Sequence, residues 1–282
     1  MLLRVFSAFF LFLLCVSANA QLSAVGYKSK EYETLLSTKT FVLQTGDNAF
    51  DANMKEAMKE WKLTAYEFIS DEDFKTKITD RASSFILPVT IYTGTSGQQY
   101  HYLALLNGGK KRLSSYDYND MLAYAVINHF GDETSNTECS YRLANMVTSM
   151  VKAMDLVKKN DIKGNGKKMV DELMQYYRTQ SYKIPKRILL VNREAIGNKM
   201  TEEEFGKIYP HKFEFCSHQK IAEVIRNKDP KYYYYQPTIT LNKSMFVFDP
   251  ATGEVLYGDY QMMGLNINKK NVEILADAIE GK

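Results

Sequence analysis

The chain has 282 residues, of which 45% are hydrophobic, enough for two ordinary domains with real cores. Its 36 basic and 33 acidic residues are interspersed and leave a net charge of +3. That balance argues against nucleic acid as the main partner, because nucleic-acid binders concentrate Lys and Arg on one face.

Arg4, the apolar run Val5 to Val16 and the small-x-small site Ala18-Asn-Ala20 read as a signal peptide cleaved after Ala20. The run is too short for a permanent anchor, and no later stretch approaches the roughly 18 apolar residues of a spanning helix. Leu14 stands before Cys15 where a lipidation site wants a small residue, so Cys15 reads as part of the apolar run. The expectation is an exported protein without a transmembrane segment after signal removal, periplasmic or extracellular; the style of the signal is bacterial. Cys139 and Cys216 then remain as a candidate disulfide, though spacing does not fix their separation.

Residues 21–39 form a leader with a short amphipathic piece from Tyr27 to Leu36. A first α/β repeat spans 40–131. It opens with a strand from Thr40 to Gln44 and a helix from Asp51 to Trp61, in which Met54, Ala57, Met58 and Trp61 share one face. A strand from Ala65 to Ile69 ends at Ser70, placed to cap a helix from Asp71 to Ile78; the acids Asp71 to Asp73 suit the positive end of that helix dipole. Strands from Phe85 to Tyr92 and from Tyr100 to Leu106 are joined by a hairpin loop at Thr93 to Gly97, and a helix from Asn119 to Phe130 closes the unit. Pro88 lacks an amide hydrogen, which predicts an edge or a bulge at its position.

Residues 132–184 read as a helical hairpin, Tyr141 to Lys159 and Lys167 to Thr179, broken at Lys163-Gly-Asn-Gly166; it either packs across both repeats or adds to the second. Its Met stripe has the spacing of core packing. A second repeat spans 185–282: a strand from Arg187 to Val191, a capping box at Thr201 and Glu204, a strand from Lys212 to Cys216, and a helix from Ser217. Strands around Pro237 and Phe248, a turn from Asp249 to Gly253 and a closing helix from Lys269 to Ile279 complete it.

Three landmarks place one repeat over the other. Phe41 meets Leu189, Tyr66-Glu-Phe68 meets Phe213-Glu-Phe215, and Pro88 meets Pro237, each at a separation of 147 to 149 residues. The expected fold is therefore α/β (α+β), two similar β-α-β-α-β-β-α domains from an internal duplication, joined by a helical hairpin.

Few residues carry chemistry. His211, Cys216 and His218 are the densest set of metal-ligand types, but their spacing is unlike a zinc site, and no metal is expected. No Gly-x-Ser-x-Gly elbow is present, and none of His101, His129, His211 and His218 sits in a nucleophile–base motif, so no catalytic residue is assigned and no cofactor expected. Lys163-Gly-Asn-Gly-Lys-Lys168 lacks the phosphate-loop spacing and reads as a turn. The best candidate binding residues are aromatic: Tyr232, Tyr233, Tyr234 and Tyr235, with Tyr100 and Tyr102 in the first repeat. Alternate strand positions face opposite sides, which predicts phenol rings exposed on a sheet edge for an envelope protein, a peptide or a glycan.

The element order of each repeat resembles a thioredoxin-like chain, including Pro at a strand, but Asn192-Arg-Glu-Ala-Ile-Gly197 and Gln44-Thr-Gly-Asp47 stand where Cys-x-x-Cys would be. The stretch Phe248-Asp-Pro-Ala-Thr-Gly-Glu-Val-Leu-Tyr257, a strand, an Asp, a Gly turn and a returning strand, resembles small α/β domains of bacterial envelope proteins such as the TolB N-terminal domain and curli-transport lipoproteins. That resemblance implies a non-enzymatic binding or scaffolding role in a cell envelope. The alternative is an envelope hydrolase or a degenerate thioredoxin-like protein with a site assembled in space.

Overall fold

The computed structural model describes residues 24–25, 29–93, 98–116, 120–129, 139–159, 167–196, 200–239, 242–262 and 267–282. The signal segment with its cleavage site, the hairpin loop at 94–97 and the interhelical turn at 160–166 lie outside the described residues.

Strands and helices alternate through the first half: β1 (Ala24–Val25), α1 (Ser29–Leu36), β2 (Lys39–Leu43), α2 (Asn48–Ala57), β3 (Tyr66–Ile69) and α3 (Asp71–Lys77). Three antiparallel strands follow, β4 (Ser83–Thr93), β5 (Gln98–Asn107) and β6 (Met121–His129). Their sheet runs β6-β5-β4-β2-β3, with the two-residue β1 added outside β6. After α4 (Leu143–Lys159) and α5 (Lys167–Gln180) come β7 (Ile188–Asn192), α6 (Arg193–Ile196), α7 (Glu202–Ile208), β8 (Phe213–Cys216) and α8 (His218–Arg226). The chain ends with β9 (Tyr232–Ile239), β10 (Asn242–Phe248), β11 (Val255–Met262) and α9 (Lys269–Glu280). The second sheet runs β11-β10-β9-β7-β8. In both sheets one strand, β2 or β7, second from the edge, pairs parallel on either side, and the later strands pair antiparallel.

Local chemistry starts the helices where the sequence places them. Ser70 Oγ accepts from Asp73 N (3.1 Å), and Thr201 and Glu204 form a complete capping box, with Glu204 Oε2 accepting from Thr201 N (2.9 Å). Ser217 accepts from Lys220 N (3.4 Å) at the start of α8. Each cap sits just before the first helical turn, where backbone N–H groups lack intrahelical partners.

The two prolines show how an irregularity is accommodated. Parallel pairing of β2 with β4 stops at Val42 and Ile86, and that of β7 with β9 at Val191 and Tyr235. Pro88 and Pro237 stand two residues further on, paired on one side only, with Leu103 and Met245. Each strand is central at its start and an edge at its proline, so the missing amide hydrogen interrupts no ladder.

Two expectations fail here. Residues 121–129 form β6 and not a closing helix: Leu122, Ala123 and Tyr124 are buried, and the segment pairs antiparallel with β5. A continuous apolar run fits a buried strand or a buried helix equally, and the free edge of β5 decides it. The helix after β2 also ends early, at Ala57, with a 3₁₀ turn over Met58–Glu60 carrying the chain to Trp61.

The helical hairpin packs across both sheets. α4 lies on α2, β1 and β6, and α5 lies along β11. Met146, Met150, Met154, Met169 and Met174 are all buried, in one hydrophobic cluster that begins at Leu35 and continues to Phe246 and Val255 of the second sheet. The Met stripe is thus the filling between the halves, a use that suits its flexible side chain. At the entrance to α4, the Arg142 guanidinium donates to Ile127 O and Asn53 Nδ2 donates to Ser140 Oγ (2.7 Å), fastening the hairpin to β6 and α2.

Candidate functional site

The tyrosine run does not form an exposed edge. β9 lies between β7 and β10, and helices cover both faces, so both sides of the strand enter a core. Tyr233, Tyr234 and Tyr235 are 5%, 2% and 1% exposed, and Tyr232 is half-buried. Tyr234 stacks on Phe248 at 5.2 Å and accepts from Asn145 Nδ2 (3.1 Å); burial pushes its phenol pKa well up. Tyr102 is equally buried, edge-on to Tyr124 at 5.7 Å, and the Tyr100 side chain lies outside the described residues. The pleat argument assumes one wet face, which a sheet with helices on both sides does not have.

The carboxyl ends of the parallel strands are the next place to look, because the crevice beyond them is where open α/β sheets take ligands. At the ends of β7 and β8, Asn192 pairs with Cys216, Glu194 N donates to Asn192 Oδ1 (2.9 Å), and His218 Nδ1 lies 3.5 Å from Glu194 Oε2. The Arg193 guanidinium lies over the Phe215 ring at 5.0 Å. Burial, helped by Glu214, pushes the Cys216 thiol up to about 11, the reverse of what a nucleophilic or redox cysteine needs. Cys139 is buried, and both cysteines are free thiols. In the first sheet the same position is filled by Asp51, which accepts from Thr45 N (2.9 Å), Thr45 Oγ1 (2.9 Å) and Gly46 N (3.1 Å) and closes the turn on itself.

The suspected metal ligands are separated by β8. His211 precedes the strand, packed edge-on against Tyr209, while Cys216 and His218 lie at its far end. Among the described residues no group of three His, Cys, Asp or Glu side chains comes together.

An open groove of about 350 Å³ lies where α4, α5 and the β10–β11 turn meet, within the size range of small-ligand sites. Lys152, Leu156 and Lys159 form one wall from α4, Tyr176 and Tyr177 another from α5, and Glu254 and Val255 close the end. Backbone packing fixes the shape. Gly253, at φ +62°, has no room for a side chain, since a Cβ would stand 2.8 Å from Thr148 Cβ on α4. Gly258 likewise lets β11 approach Met174 of α5, where a Cβ would lie 2.8 Å from its Sδ.

The rim is polar and aromatic. Lys183 Nζ donates to Glu254 Oε1 (3.0 Å), and Lys152 Nζ donates to the Thr252 carbonyl (3.1 Å). Partial burial works to lower the Lys183 pKa, but the hydrogen bond and charge of Glu254 outweigh it and the value rises, with Tyr182 and Tyr176 contributing less. Those two tyrosines are 56% and 39% exposed, in contrast to the buried run in β9. Tyr176 meets Tyr177 edge-on at 5.9 Å, and the Lys186 ammonium sits 5.3 Å from the Tyr182 ring centre. No ion pair occupies Asp155 or Lys159 among the described residues, although both line the groove.

The chain matches no family model, no curated protein and no solved structure. The groove therefore rests on its own geometry. Sequence reading missed it, although a signal existed: Tyr176 falls off the apolar stripe of α5 formed by Met169, Val170, Leu173, Met174 and Tyr177. An aromatic residue on the polar side of an amphipathic helix is the kind of exposed ring that recognition uses.

Proposed function

We propose that the chain is an exported, non-enzymatic binding or scaffolding protein of a bacterial cell envelope, holding its ligand in the groove between α4, α5 and the β10–β11 turn. The observation that carries this reading is the rim: Tyr176 and Tyr182 expose their rings beside the Lys183–Glu254 pair in a shape set by close backbone packing. Rigid, exposed aromatic residues next to charged groups offer contact area at small entropic cost, as recognition sites require. No described helix is long and apolar enough to cross a membrane.

The test is photo-crosslinking in the native envelope, with a photoreactive phenylalanine at position 176 and, as control, at the distant exposed Tyr66. A discrete adduct from position 176 alone supports the groove. Equal adducts from both positions, or none from 176, refute it. Amino-terminal sequencing of the exported protein checks the leader, with Gln21 expected as the first residue.

A duplication underlies this reading as well. Apart from the two-residue β1, the sheets share strand order and pairing senses, and this, with the equivalent positions of Pro88 and Pro237, supports descent from one repeated unit. The groove then belongs to the hairpin inserted between the copies. The alternative, a hydrolase or degenerate thioredoxin-like protein, would draw on His218, Glu194 and Cys216; with its pKa near 11, Cys216 is thiolate in only about one molecule in ten thousand at neutral pH, which weighs against it.

A further inference from the structure

We infer that the groove is a saccharide site, for an oligosaccharide bearing a single carboxylate. This deepens the binding reading above and rests on it.

Three features favour a sugar over a peptide. First, exposed aromatic rings stand at the site: Tyr176 lines the groove, and Tyr182 adjoins Lys183, which is bonded to Glu254 at the groove's end; a pyranose packs its C–H face on such rings. Second, the apolar lining apart from tyrosine is limited to Leu156 and Val255, so there is no deep socket for a peptide's hydrophobic anchor. Third, the walls are helices and a closed turn whose backbone groups are already bonded, Gly253 N to Asp249 O (2.8 Å) and Asp249 N to Glu254 O (2.8 Å). They offer no open strand edge for main-chain pairing with a peptide. Ser149 is buried and already donates to Met146 O, so the charged side chains are what remains to meet hydroxyl groups.

The charge pattern selects the anionic class. Lys152 and Lys159 line the groove with Asp155 and Glu254, and Lys183 is committed to Glu254. Lys159 lines the groove with no ion-pair partner among the described residues, placed to take a carboxylate by a charge-assisted hydrogen bond. Asp155, one turn earlier on α4, is placed to accept from sugar hydroxyls. A dense polyanion does not fit, since the carboxylates of Asp155 and Glu254 line the groove beside these lysines and would repel it.

The test uses residues 21–282, which retain every described element, and three matched probes in calorimetric titration: a trisaccharide ending in one glucuronate, the same trisaccharide ending in neutral glucose, and a tripeptide with one glutamate. The glucuronate probe should bind about tenfold more tightly than either other, and weaken with salt. Tyr176→Ala combined with Tyr182→Ser should lose about tenfold with the thermal midpoint unchanged, and Lys159→Gln should erase the preference over the neutral sugar. Stronger binding of the tripeptide overturns the saccharide class while leaving the groove intact. Binding of no probe, or binding indifferent to these variants, overturns the inference, and crosslinking from position 176 separately decides whether the groove is a site.

Discussion

Two sets of tyrosines have opposite fates in this protein. Tyr233, Tyr234 and Tyr235 sit in β9, between two strands and between two helical layers, and are sealed. Tyr176 and Tyr182 sit on the outer side of α5 and in the 3₁₀ turn after it, and are open. The residue type is the same and the difference is the number of neighbours each backbone position acquires. A central strand covered on both faces removes every side chain from water, whereas a helix at the surface keeps one side wet whatever residue occupies it. Clustered tyrosines in a sequence are therefore weak evidence of a binding face until the strand's place in its sheet is known.

The largest test of this contrast is Tyr235→Ala. Removing a fully buried ring should destabilise by about 3–5 kcal/mol, read as a large fall in the denaturant midpoint. A change under about 1 kcal/mol would show that β9 is not core. The opposite arm is Tyr182→Ser, which should leave stability within about 0.5 kcal/mol while weakening ligand capture; a large loss of stability would mean that the ring is structural.

A smaller effect concerns the thiols. Cys216 should react slowly with iodoacetamide at pH 8, and its rate should climb as pH rises towards about 11, where burial has moved its pKa. Fast alkylation of the folded protein at pH 7 would return the carboxyl-end crevice to candidacy as a reactive site.

The smallest concerns the capping box. Hydrogen bonds from Lys269 and then from Thr201 hold the Glu204 carboxyl at about 2, below its ordinary value of 4.5. A depressed folded-state pKa stabilises fully above about pH 4.5, and that contribution is lost as pH falls towards 2. Glu204→Gln should flatten the stability profile across that window, its small loss of stability being present at neutral pH and vanishing towards pH 2; an unchanged slope would show that solvent already screens this exposed carboxylate.

What the sequence determined by itself was local. Ser70, Thr201 and Ser217 announced their helices because a cap acts through the three residues that follow it, and the spacing of Met146, Met150 and Met154 announced a buried helix face because 3.6-residue periodicity needs no distant partner. Only the tertiary structure decided the rest. Residues 121–129 became a strand because β5 offered an unpaired edge, and Pro88 and Pro237 were tolerated because a parallel neighbour stops two residues short of each. The groove exists because Gly253 and Gly258 let a turn and a strand, about 100 residues on in the chain from the helix α4, press against the hairpin. Burial and cavities are properties of which elements meet, and pairing over such separations is set by the sum of many weak contacts that no short stretch of sequence encodes.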